Sequence, residues 1–212
     1  MKWFLGGFAA MVLGSVFLMP HTAAGQPAGG GSKVGTNPGG VKSGRDLAPA
    51  VGHELAAFSG GCFWGTEDYF RNVKGVVATA VGYTGGVTDR PTYEDVCSHT
   101  TRHAESVLVE FDPKVISYPN LIREFWKAHD PTQMNRQGPD YGDQYRTAIW
   151  TFSKAQTQLA MMAIEKQQKF ETEKIVTTVS RAPKFWIAED YHQQYDEKTG
   201  RHSCPAPRKI GG

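Results

Sequence analysis

The chain contains three cysteines, and Cys62 sits in the setting best suited to reaction. It lies in Gly60-Gly61-Cys62-Phe63-Trp64-Gly65. Two glycines let the backbone leave a strand and enter a helix within a residue or two. Cys62 then stands at the helix N-terminus, where unpaired N–H groups and the dipole favour negative charge. That setting is expected to lower the thiol pKa and make the sulfur nucleophilic. The bland alternative is a buried small hydrophobe. Phe63 and Trp64 are either core or an apolar wall against which a small alkyl group would sit.

A second candidate is Glu105. The run Glu105 to Phe111 alternates, so Glu105 shares a face with Val107, Val109 and Phe111. If that face is the core, its carboxyl is pulled out of water and its pKa rises, leaving a proton to donate near neutral pH. The alternative is a strand-end carboxylate that turns back to solvent. Cys204 lies in the turn-rich segment Thr199 to Pro207. It reads either as a mobile second thiol that closes a disulfide onto a sulfenic acid, or as half of a static bridge. Cys97 reads as structural. The pattern Cys97-x-His99-x-x-x-His103 hints at a metal patch, but nothing completes a closed shell, so no metal is expected. Cys62 paired with His103 or His192 would instead make a thiol hydrolase.

The elements that must carry these groups follow from periodicity. Glu54 to Ser59 reads as a strand, a helix starts at Cys62, and Val76 to Tyr83 and Glu105 to Phe111 are strands. Ser117 caps a helix with Leu121, Ile122, Phe125, Trp126 and His129 on one face. Asp130 to Arg146 is a loop, Thr147 to Phe152 a strand, Ser153 to about Glu171 a helix, and Ile175 to Val179 a strand. Strands and helices mix without strict βαβ alternation. The expectation is an α+β two-layer sandwich with a mixed, mostly antiparallel sheet, a ferredoxin-like core and a long irregular C-terminal tail.

The 212 residues do not form one uniform block. Residues 1–48 carry a net charge of +3 and 11 of the 24 glycines, and the remainder carries −1. A nearly neutral folded part argues against nucleic acid or anionic membrane as a partner. Residues 1–25 have a basic start, an apolar run from Trp3 to Met19 and small residues after Pro20. They read as a secretory signal peptide, with an uncleaved anchor as the alternative. The domain is therefore expected to be exported, to a periplasm or beyond, with no membrane binding unless the leader stays. Residues 26–46 read as a flexible Gly/Pro/Ser-rich linker, 47–204 as one domain, and 205–212 as a disordered tail.

Ordered motifs run through the whole domain. They are Gly-Cys-Phe-Trp-Gly, Gly82-Tyr83-Thr84-Gly85-Gly86, Pro91-Thr92-Tyr93-Glu94-Asp95-Val96-Cys97-Ser98, His103-Ala104-Glu105 and Asn135 to Asp140. Gln144-Tyr145-Arg146 and Ala188 to Tyr195 follow. From Phe58 to Cys204 the chain resembles the A-type peptide methionine sulfoxide reductases. The resemblance implies Cys62 as nucleophile, Glu105 as acid and Cys204 as resolving thiol. It also implies a substrate site of Phe63, Trp64, Tyr93, Asp140 and Tyr145, selective for the S epimer. No cofactor is implied beyond an external, thioredoxin-like thiol reductant. The implied substrates are oxidised proteins and free methionine sulfoxide; the chain itself is expected to be a monomer, a state the sequence leaves open. Against the family pattern, His99 and Arg102 stand where glycine is common. A non-catalytic, disulfide-held binding domain is the remaining alternative.

Overall fold

The computed structural model describes residues 34–201 and 207–210. The leader and residues 26–33 of the expected linker lie outside them. The chain forms β1 (Glu54–Gly60), α1 (Phe63–Arg71), β2 (Val76–Thr84), α2 (Tyr93–Cys97) and β3 (Ala104–Phe111). Next come α3 (Tyr118–Ala128), β4 (Arg136–Gln137), β5 (Asp140–Tyr141), β6 (Thr147–Thr151) and α4 (Lys154–Gln168). The last elements are β7 (Thr178–Arg181), β8 (Trp186–Ile187) and α5 (Tyr195–Thr199).

The main sheet has the order β7-β6-β1-β3-β2-β8, and β4 pairs with β5 in a small hairpin. Every pair in the main sheet is antiparallel except β6 with β7. The central β6-β1-β3-β2 order, with α1 and α3 as crossovers, is the expected ferredoxin-like core. Helix starts follow their caps: Ser117 accepts from the Asn120 N–H and Ser153 from the Gln156 N–H. Thr92 and Asp95 form a reciprocal capping box at α2, a short helix that periodicity does not reveal.

Strand parity predicts the two faces of β3. Val107, Val109 and Phe111 join Phe58, Val81, Phe70, Leu121, Ile122 and Phe125 in the core beneath the helices. Leu108 points the other way, yet it is also fully buried, against Ala57, Ala80, Trp150, Phe185 and Val41. The cover on that second face corrects the linker reading. From Val34 onward the segment read as a free tether lies on the domain. Gly35 bridges Ala78, Val41 is buried, and the Gly39 N–H donates to Glu110 Oε2 at 2.7 Å. Glycine there serves close approach rather than freedom: a Cβ on Gly44 would lie 2.6 Å from the Trp186 ring.

Two further expectations shift. Residues 205–212 were expected to be disordered, but Arg208 bonds the Lys127 and His129 carbonyls and pairs with Glu171 at 3.0 Å. The last strand starts later than expected. The Ile175 and Val176 N–H groups go to the Gln168 side chain and the Pro131 carbonyl instead of a ladder. Among the described residues, no helix is long and apolar enough to cross a membrane.

Candidate active site

Cys62 is the N-cap of α1. The turn before it leaves β1 through Gly61, whose φ of +93° and a Gln137 Cγ 2.6 Å from its would-be Cβ both demand glycine. Gln137 in turn bonds the Asp130 N–H and carbonyl, so the 130–146 loop braces the cysteine turn. The half-buried thiol faces the Trp64 and Gly65 N–H groups.

The helix terminus was expected to lower the thiol pKa. The structure gives the opposite sign. Burial first, and the Glu105 charge second, push Cys62 up to about 12, outweighing the two N–H groups. The resting sulfur is a thiol.

Glu105, near the start of β3, lies on the helix-side face with 2% exposure. Its Oε2 accepts the Phe63 N–H at 3.0 Å, so the acid and the sulfur share one helix terminus. Burial pushes the carboxyl up to about 8, against that hydrogen bond and with a smaller push from Asp140. At neutral pH the carboxyl carries its proton.

Tyr93 opens α2, Asp140 is in β5, and Tyr145 ends the 3₁₀ turn Asp143–Tyr145. All three are half-buried. Burial first, then the Glu105, Cys62 and Asp140 charges, raise Tyr145. Burial and then Cys97, Glu105 and Tyr145 raise Tyr93. Both phenols remain hydrogen-bond donors. Burial also raises Asp140. Phe63 is buried, and Trp64 stacks on Tyr195 at 3.9 Å and 12°. The fold thus gathers Cys62, Glu105, Tyr93, Asp140, Tyr145 and the aromatic pair. Cys204 lies outside the described residues.

The family model for peptide methionine sulfoxide reductase matches residues 54–211. The chain belongs to this family. Over 154 residues it is 55% identical to the peptide methionine sulfoxide reductase MsrA of Methanosarcina acetivorans, covering 72% of this chain and 82% of that one. Among solved structures it resembles methionine sulfoxide reductase A of Corynebacterium diphtheriae, with TM-score 0.69 and 35% identity. That match covers 82% of this chain and 90% of the other. Reduced Mxr1 of Saccharomyces cerevisiae also gives TM-score 0.69, at 36% identity, over 75% of this chain and 93% of that one. The activity of this reductase is thiol-dependent reduction of methionine sulfoxide.

Sequence reasoning left Glu189 unassigned, considered His192 only as a hydrolase base and missed Tyr195's packing. Glu189 Oε2 accepts the Tyr83 hydroxyl and Oε1 the Tyr93 N–H, each at 2.9 Å. Glu189 and His192 sit in an irregular segment and Tyr195 opens α5; the only sequence signal for the three was the 188–195 motif itself. The hydrolase reading also loses its base. His103 bonds the Gly86 N–H and the Thr88 carbonyl through its two nitrogens, and His192 Nδ1 takes the Trp64 indole. Cys97 sits half-buried beside the Tyr93 hydroxyl. His99 and Arg102 keep the turn before β3 by adopting φ of 60° and 58°, the left-handed region that glycine prefers.

Proposed function

We propose that the reduction runs through Cys62 and Glu105 as a proton-coupled pair. The observation that carries this is a neutral, buried carboxylic acid held at the same helix terminus as a half-buried thiol. Sulfoxide oxygen is a very poor leaving group unless protonated. Glu105 gives its proton to that oxygen while the Cys62 sulfur bonds to the sulfoxide sulfur. The thiol proton passes to the Glu105 carboxylate, restoring the acid. The old S–O bond then breaks as the hydroxyl moves to the Cys62 sulfur, and the new S–S bond breaks with its electron pair left on the substrate sulfur, which departs as the thioether. A thiol and a sulfoxide thereby become a sulfenic acid and a thioether, with atoms and electrons balanced. Tyr93 and Tyr145 donate to the oxygen, Asp140 holds a water or a tyrosine in place, and Phe63 and Trp64 wall the methyl group.

Cys204 then attacks the sulfenic sulfur, releasing water and leaving a Cys62–Cys204 disulfide. Only one cysteine lies in the tail, so a thioredoxin-like dithiol attacks that disulfide directly. Substrates are the S epimer of the sulfoxide, free or in oxidised proteins. The leader supports export, with the enzyme acting as a monomer in a periplasm or outside the cell.

The test is a diastereomer mixture of free methionine sulfoxide without reductant. One epimer should disappear, with one disulfide formed per turnover, and Cys62→Ser should abolish it. Surviving turnover in that variant rules out Cys62 as nucleophile.

A further inference from the structure

Helices α3 and α4 lie side by side, and between them runs a groove of about 350 Å³. Helical spacing builds it. On α3, Arg123 and Trp126 follow Pro119 by four and seven residues; on α4, Met162, Lys166 and Phe170 recur at every fourth. Trp126 is 1% exposed, and Leu159 and Ala163 on the facing helix are half-buried. Met162 and Phe170 stand 63% and 52% exposed at the same groove. None of these side chains belongs to the reductase site.

The charges on this groove have one sign. Arg123 and Lys166 line it, both exposed, and neither side chain has an ion-pair partner among the described residues. No aspartate or glutamate among the described residues lines it. Glu124, next to Arg123 in sequence, is taken by the Tyr69 hydroxyl and Lys127. Glu165 on α4 is exposed outside the lining. A guanidinium offers paired N–H donors and an ammonium a point charge, and both suit a carboxylate. Size narrows the occupant. Seven residues of α3 rise only about 10 Å, under two turns, too short to seat a partner helix. The volume instead lies within the roughly 300–1,000 Å³ of small-molecule sites. The hollow is concave, so it closes around one molecule and not around a bilayer surface.

We infer that the α3–α4 groove binds a free medium-chain fatty acid, its alkyl chain against Trp126, Leu159 and Ala163 and its carboxylate on Arg123 and Lys166. Burial of the chain supplies most of the affinity, because each methylene taken from water contributes in proportion to its area. The two cations select the head group. The site stands apart from the sulfoxide chemistry, so its failure would leave the roles of Cys62 and Glu105 intact, and theirs would leave the groove intact.

The experiment titrates the full chain with decanoate below its micelle concentration, read by calorimetry and by backbone amide resonances. Binding should saturate with a Kd of about 0.1 mM, and the shifted resonances should cluster on α3 and α4. Decyltrimethylammonium, with the same chain and the opposite charge, should bind at least about tenfold more weakly. In the double variant Arg123→Gln, Lys166→Gln, decanoate affinity should fall about tenfold and its preference over decyltrimethylammonium should vanish. Methionine sulfoxide turnover in that variant should stay within about twofold of wild type. Ala163→Phe fills the groove and should abolish binding. Should it not fold, Met162→Glu, at an exposed position, places a like charge beside the head group and should weaken decanoate about tenfold. No saturable binding by the wild type, equal affinity for decyltrimethylammonium, or unchanged affinity in the double variant overturns the inference. Flotation with phosphatidylglycerol vesicles in the absence of decanoate binding also overturns it, since the face would then serve a membrane.

Discussion

Replacing Glu105 with Gln separates catalysis from stability in opposite directions. The amide keeps the shape and can still accept the Phe63 N–H, now at 3.0 Å, but it cannot deliver a proton. General acid catalysis is worth about 10²–10⁴-fold, and the first step should slow by that factor at pH 7. The wild-type rate should fall as pH rises through about 8, the value burial imposes on Glu105. Glu105→Gln should show no such inflection. Stability runs the other way. The folded carboxyl stands near 8 against an ordinary 4.5, so the native state holds a proton that the unfolded chain gives up in that window. Wild-type stability therefore declines as pH climbs from about 4.5 to about 8. The full difference is about 5 kcal/mol as an upper bound, at 1.36 kcal/mol per unit. Glu105→Gln should be nearly neutral at pH 5 and more stable than wild type at pH 8. Single-turnover methionine release and urea unfolding at both pH values check the two halves. A variant rate within about threefold of wild type, or an inflection near pH 8 that survives in the variant, refutes the acid assignment.

Cys204→Ser should complete one turnover and then stall with thioredoxin; sustained cycling would mean another thiol resolves Cys62. Arg102→Gly should raise stability by about 0.5–1 kcal/mol by relieving left-handed backbone at φ 58°, seen as a higher melting temperature than Arg102→Ala. Equal melting temperatures for the two would show no strain there. Glu110→Ala strips the carboxylate that accepts the Gly39 and Ala50 N–H groups and the His53 ring. It should cost about 2–4 kcal/mol and speed proteolysis before Glu54; an unchanged cleavage pattern would contradict the anchoring role.

β3 was legible from its alternation and α3 from its apolar face and Ser117 cap, whereas β1 and β2 read from short apolar runs and α4 from its Ser153 cap. Glu105 was legible from the β3 alternation, since parity alone places it with Val107, Val109 and Phe111. Local charge reasoning failed at Cys62. The helix terminus is there and its N–H groups point at the sulfur, but burial and the neighbouring carboxyl outweigh them. Neither can be read from a five-residue motif. Glycine content misled at residues 34–46, where it marks close packing on a sheet face that would otherwise lie bare. The 188–195 segment has no periodicity, so the roles of Glu189 and His192 emerge only from tertiary contacts 96 to 128 residues apart in sequence.

The central claim is that one sulfur takes the oxygen. Cys204→Ser enzyme, given one equivalent of methionine S-sulfoxide with a dimedone trap and no reductant, should yield one methionine per chain. Peptide mass spectrometry should then find the sulfenic adduct on Cys62. Methionine formed with no adduct there, or with the adduct on Cys97, contradicts the account.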